Sequence, residues 1–117
     1  MRIYLAGPMR GCPEHNFPAF ARYAAELRRR GHEVFSPAEK GLEALAGADP
    51  EIMANSLQFR RDVFALDTEW ICNQADIVAM MPGWKRSLGA VAEEALAHAV
   101  GLRVVYLEQE DGWHVVV

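Results

Sequence analysis

The chain has 117 residues, 51% apolar and 24% charged, with nine glycines and six prolines, a composition that builds one hydrophobic core and excludes collagen-like, disulfide-scaffold and largely disordered classes. Twelve Lys and Arg against sixteen Asp and Glu leave a net charge of −4. That argues against a long nucleic acid as partner and leaves room for a local basic pocket holding one phosphate. Cys12 and Cys72 have no CxxC spacing and the four histidines form no ligand pair, so no metal is expected. There is no signal-peptide core after Met1 and no apolar run of about 18 residues, so the expected location is a reducing cytoplasm, with free thiols and no membrane association.

In chain order, Arg2 to Ala6 is a short apolar run closed by Gly7-Pro8, the pattern of a buried strand followed by a loop. Asn16 is placed to cap a helix whose Phe17, Phe20, Ala21, Ala24 and Leu27 repeat at helical spacing. Arg28, Arg29 and Arg30 suit its negative end before Gly31 stops it. His32 to Ser36 reads as a second strand, stopped by Pro37. The segment from Ala38 to Gly47 reads either as a short helix or as a mobile lid. Asp49-Pro50 has the cap-plus-proline signature of a long helical region with a broken apolar face of Ile52, Met53, Leu57, Val63, Phe64, Leu66, Trp70 and Ile71. Asp76 to Met81 is a third strand. Ser87 is an N-cap candidate for a helix whose Leu88, Val91, Ala92, Ala95 and Ala99 share one face until Gly101. Arg103 to Leu107 is a fourth strand, and Asp111-Gly112 predicts a turn that returns Trp113 to Val117 as a hairpin or edge strand.

Alternating strands and helices predict a single α/β domain over residues 1–117, flavodoxin-like or Rossmann-like. Its mainly parallel sheet of four to five strands has the order 2-1-3-4, with the tail strand at the edge and helices on both faces. Such sheets bind ligands at the carboxyl ends of the strands where the strand order reverses, here between the first and third strands. The flanking loops offer Gly7, Pro8, Arg10 and Gly11 on one side and Trp84, Ser87 and Gly89 on the other. Ser87-Leu88-Gly89 opens a helix whose first-turn N–H groups suit an anion, and Arg10 is placed to close on it; a plain cap and a solvated arginine are the ordinary alternatives. Glu93 and Glu94 fall off the apolar stripe by similar angles, so periodicity does not separate them. They also read as solvated carboxylates beside His98. Tyr4, in an otherwise aliphatic strand, needs a polar partner for its hydroxyl. Asp62 and Asp67 lie on the long helix. No Walker A, GxGxxG or GxSxG pattern is present, and Cys12 has no histidine at a telling position.

Three regions together resemble a family. Tyr4-Leu5-Ala6-Gly7-Pro8-Met9-Arg10-Gly11, Asp67-Thr68-Glu69-Trp70 before Ala75-Asp76-Ile77-Val78, and Ser87-Leu88-Gly89-Ala90-Val91-Ala92-Glu93 look like the signatures of the nucleoside 2-deoxyribosyltransferase superfamily. The nearest resemblance is to its small, phage-associated DUF4406-type branch, with deoxynucleoside 5′-monophosphate N-hydrolases as characterised relatives. It covers most of the chain and is weakest from about Ala38 to Arg61.

The resemblance implies that Glu93 is the catalytic carboxylate, Tyr4 the tyrosine orienting it, and Asp67 the second acid. The Asp67-to-Asp76 interval is one residue longer here than in the hydrolases, which keeps Asp62 as an alternative. It also implies that Arg10, Ser87 and Gly89 form a 5′-phosphate pocket, and that the chain forms a homodimer or larger homo-oligomer, with a role for Trp113 to Val117 at the interface. The implied reaction is hydrolysis of the N-glycosidic bond of a (deoxy)nucleoside 5′-monophosphate, without metal or organic cofactor. A carboxylate at C1′ stabilises or traps the oxocarbenium-like sugar while a protonated acid meets the leaving base. Nucleoside 2-deoxyribosyl transfer and a silent nucleotide sensor are the alternatives.

Overall fold

The computed structural model describes residues 1–45, 49 and 55–107. Four strands, β1 (Arg2–Ala6), β2 (Glu33–Phe35), β3 (Ile77–Met80) and β4 (Arg103–Tyr106), form one parallel sheet in the order β2-β1-β3-β4. The helices are α1 (Phe17–Arg29), α2 (Pro37–Leu45), α3 (Leu57–Asn73) and α4 (Leu88–Val100), with short 3-10 turns at Pro13–Asn16 and Trp84–Arg86. The predicted strand order is therefore the one observed. The segment open to two readings is helical from Pro37 to Leu45. The expected edge strand from Trp113 to Val117 lies outside the described residues.

The two-residue period of β1 sorts its side chains between two cores. Ile3 and Leu5 pack with Phe20, Ala24 and Leu27 of α1, whereas Tyr4 and Ala6 face Ile71 of α3 and Ala90 and Ala97 of α4. Each large apolar side chain fully buried this way contributes roughly 1.5–3 kcal/mol. The α1 side is further tied by Arg28, which grips Glu39 of α2 through bonds of 2.7 and 2.6 Å and donates to the Val34 carbonyl at 3.0 Å. Tyr4 is thus aimed at the α3 and α4 side, where the crevice lies.

Two local expectations are corrected and a third is left outside the described residues. Asn16 precedes α1 but does not cap it with its side chain: its backbone is left-handed (φ 62°) and its amide donates instead to the Pro8 carbonyl at 2.9 Å. The described helix α3 opens at Ser56, whose Oγ accepts from the Phe59 N–H at 3.2 Å; the cap expected at Asp49-Pro50 rests on residues 50–54, which lie outside the described residues. The stripe Leu88, Val91, Ala92, Ala95 and Ala99 of α4 faces outward, and the helix lies on the sheet through Ala90, Glu93 and Ala97. Small alanines let α4 settle closely on β1 and β3, which carries Glu93 inward to meet Tyr4.

Candidate active site

Tyr4, Asp67 and Glu93 come from β1, α3 and α4 and meet below the carboxyl ends of the central strands. The Tyr4 hydroxyl donates to Glu93 Oε2 at 2.5 Å in a buried bond, and also faces the Asp67 carboxyl. The tyrosine ring is fixed by Phe35, stacked at 5.4 Å, and by Trp70 at 6.4 Å, with Phe35 and Trp70 themselves 5.1 Å apart. Asp67 and Glu93 are each only 5% exposed, and Asp67 Oδ1 has no hydrogen-bond partner among the described residues. A buried carboxylate oxygen left without a partner is costly, so it marks a place for a donor that the described residues do not supply.

Burial dominates the electrostatics of this cluster. It pushes Asp67 up to about 7, opposed by the Tyr4 hydrogen bond. It pushes Glu93 up to about 8, opposed by Tyr4 and reinforced by the charge of Asp67. Tyr4 is raised well above the ordinary phenol range by burial and then by both carboxylates, so it stays a hydroxyl donor. The sequence reading expects Asp67 protonated and Glu93 charged; both carboxyls are raised by comparable amounts, burial being the leading cause for each and the charge of Asp67 a lesser one for Glu93. Near neutral pH such a pair titrates jointly rather than residue by residue.

These carboxyls form the floor of a cavity of about 490 Å³. The β1–α1 loop contributes Gly7, Met9, Arg10 and His15, and the start of α4 contributes Ser87, Leu88 and Gly89, with Arg86 just before it. Phe59, Arg60, Val63 and Phe64 of α3 form the opposing wall. Ser87 caps α4, its Oγ accepting from the Ala90 N–H at 3.2 Å, and the Leu88 and Gly89 N–H groups have no partner within the helix. A Cβ on Gly7 would lie 2.9 Å from Met81, so packing demands glycine there. One on Gly89 would sit at an ordinary 3.7 Å from Phe64, so its small size instead leaves space on the cavity side.

Six predicted residues, Asp67, Glu93, Gly7, Arg10, Ser87 and Gly89, line this one cavity, with Tyr4 bonded to its floor. Pro8 and Gly11 do not line it; they border a separate hollow of about 350 Å³ on the other side of their loop. Trp84 is also turned away, packed 5.8 Å from Tyr106. Asp62 is exposed and bonded to Gln58 at 2.8 Å, outside the cavity, while Glu94 accepts from Tyr106 at 2.6 Å and sits 3.9 Å from His98. Sequence reasoning missed Arg60, Phe59, Arg86 and His15 as cavity residues. Arg60, Val63, Phe64 and Asp67 follow the i, i+3, i+4, i+7 spacing of one helix face, a signal that pointed to this wall. His15 reaches it through three consecutive left-handed non-glycine residues, Glu14, His15 and Asn16 (φ 53°, 52° and 62°). Each such residue costs on the order of 1–2 kcal/mol, strain typical of segments held for a ligand.

Two comparisons place the chain among known proteins. The family model of DUF4406, described as a domain of unknown function, matches residues 1–106. The solved structure of a 2-deoxyribosyltransferase from the psychrotolerant bacterium Bacillus psychrosaccharolyticus is 27% identical with a TM-score of 0.71, over 100% of this chain and 77% of that one. No curated protein matches the sequence significantly. With its strand order and its three signature regions in place, the chain belongs to the DUF4406 family, within the nucleoside 2-deoxyribosyltransferase-like superfamily.

Proposed function

We propose that the chain, acting as one domain over residues 1–117, hydrolyses the N-glycosidic bond of a (deoxy)nucleoside 5′-monophosphate. The observation that carries this is the buried pair Asp67 and Glu93 sharing one tyrosine hydroxyl on the floor of a cavity rimmed by Arg10 and a helix N-terminus. The likeness to a 2-deoxyribosyltransferase supports an enzyme of the glycosyl-transfer or hydrolase kind. In the competent state Glu93 is ionised and Asp67 protonated. The Glu93 carboxylate attacks C1′, the C1′–N bond breaks, and its electron pair leaves with the base, which takes the Asp67 proton. Water then attacks the glycosyl ester, returning its proton to Asp67 and freeing Glu93 and the sugar 5-phosphate. Tyr4 orients Glu93 and steadies its charge. Arg10, Ser87 and the N–H groups at Gly89 hold the phosphate. No cofactor or metal enters this scheme.

A second reading, 2-deoxyribosyl transfer with another base replacing water, is favoured by that same structural likeness. Incubating the protein with nucleosides and their 5′-monophosphates, with and without a second free base, and separating the bases by chromatography tests both. Free base from monophosphates alone supports hydrolysis, exchanged base supports transfer, and binding without turnover refutes both in favour of a sensor. Among the described residues no helix is long and apolar enough to cross a membrane, and the free Cys12 and Cys72 suit the cytoplasm we assign. We also assign a homo-oligomeric state, with the outward stripe of α4 as its interface.

A further inference from the structure

The loop after β1 is a wall with an opening on each side. Gly7, Met9 and Arg10 face the cavity, whereas Pro8 and Gly11 face the smaller hollow. The left-handed turn repeats this division, with His15 on the cavity and Asn16 on the hollow. Arg86 lines both spaces. Its guanidinium lies across Gly83, where a Cβ would come within 2.6 Å of it, so the left-handed glycine (φ +84°) leaves the room that seats Arg86 between them.

The hollow's charges have one sign. Arg22 from α1 and Arg86 both border it, and no Asp or Glu is among its described lining residues. Neither arginine is ion-paired with a carboxylate among the described residues, whereas Arg28, Arg29 and Arg30 are held by Glu39 and Glu26. A monophosphate, with a charge of about −2, is matched by Arg10 and the N-terminus of α4. Arg86 and Arg22 then extend cationic lining beyond that phosphate into the hollow.

We propose that the hollow bordered by Arg22 and Arg86 is a second phosphate subsite, which widens the ligand class from nucleoside 5′-monophosphates to nucleosides carrying a 5′-diphosphate. Its naming of a nucleoside rests on the function proposed above; the binding of a two-phosphate group does not. A monophosphate fills the cavity alone, and a diphosphate passes its outer phosphate by Arg86 toward Arg22.

The test uses the full chain and inorganic anions, read by isothermal titration calorimetry at constant ionic strength. Pyrophosphate is expected to bind at least about tenfold more tightly than orthophosphate, the scale of one charge-assisted contact. Arg22→Ala, at an exposed helix position outside the catalytic machinery, should erase about tenfold of pyrophosphate affinity and leave orthophosphate within about twofold, with Arg22→Lys restoring most of the loss. Equal affinity for the two anions, or pyrophosphate binding that ignores Arg22→Ala, overturns the subsite. Base release from a nucleoside mono- and diphosphate is assayed separately. An Arg22-dependent pyrophosphate site without any base release keeps the subsite and overturns the catalytic reading. Release from the monophosphate without a pyrophosphate preference does the reverse.

Discussion

Glu93→Gln keeps the shape of the side chain and an acceptor for Tyr4 while removing the charge, so it isolates what burying this carboxyl costs. Its folded pKa is about 8 against an ordinary 4.5. A raised carboxyl stabilises the fold fully below the unfolded pKa, and that contribution is lost as pH rises through the folded value. Between pH 5 and 8 the loss for Glu93 approaches a ceiling of about 4 kcal/mol, at roughly 1.4 kcal/mol per pH unit. Joint titration with Asp67 and relaxation around the charge reduce this to an expected 1–3 kcal/mol, roughly. For a domain of this size that is about 4–12 °C in Tm. Thermal unfolding followed by circular dichroism should therefore show wild type and Glu93→Gln close together near pH 5, with the variant pulling ahead as pH rises to about 9. A difference that does not change with pH, or wild type gaining on the variant at high pH, would refute the buried-charge argument.

Three further outcomes concern activity. Glu93→Ala should lower turnover by at least about 10³-fold, measured as free base released. Glu94→Ala, which loses only exposed contacts to Tyr106 and His98, should be mild. Because Glu93 is buried, the alanine variant must also be checked for folding by circular dichroism. The profile of kcat/KM against pH should be a bell centred near neutrality, set by the raised pair; Asp67→Asn should remove mainly its alkaline limb, and a larger effect of Asp62→Asn would move the acid. Arg10→Ala should cut kcat/KM for a monophosphate by roughly ten- to a hundred-fold and leave the nucleoside nearly unaffected, equal losses on both arguing against a phosphate contact.

The sheet was legible because its strands are short apolar runs, the first three closed by Gly-Pro, Pro and Pro-Gly, and because four parallel strands with helical connections admit few orders. The helices were less so. In α3 the residues read as a core face divide: Ile71 is buried, while Phe64 walls the cavity and Leu57 and Leu66 are exposed. A cavity wall and a core face look alike in sequence because both are apolar at helical spacing. Glu93 and Glu94 were inseparable by periodicity, and only the resemblance to a family chose Glu93. In the structure the choice has a physical form: Glu93 lies between the buried Ala90 and Ala97 on the face of α4 toward the sheet, where its long side chain meets the one hydroxyl in β1. Asn16 looked like a cap because residue type shows capping capacity; whether the side chain is used depends on backbone angles and partners set by the tertiary fold.

The apolar stripe of α4 then has a consequence for assembly. Leu88, Val91, Ala92, Ala95 and Ala99 keep helical spacing along a face turned to solvent, with Leu88 90% exposed. Keeping such a stripe in water is unfavourable, and its alanines allow a second helix to approach to the usual 8–10 Å, roughly. A copy of the same helix offers the same small residues, so a two-fold pairing of α4 is self-complementary. Leu88 also lines the cavity, so breaking the proposed pairing is expected to lower activity. Val91→Asp and Ala95→Glu place charge at two exposed positions of this face, neither of them lining the cavity. Light scattering after size exclusion should show wild type at a multiple of 13.1 kDa and the double variant at the monomer mass with a native circular dichroism spectrum. Base release by the variant should fall with its mass. A wild-type monomer at about 50 µM, or a double variant that remains oligomeric, would remove α4 as the interface and leave Leu88 as cavity lining alone.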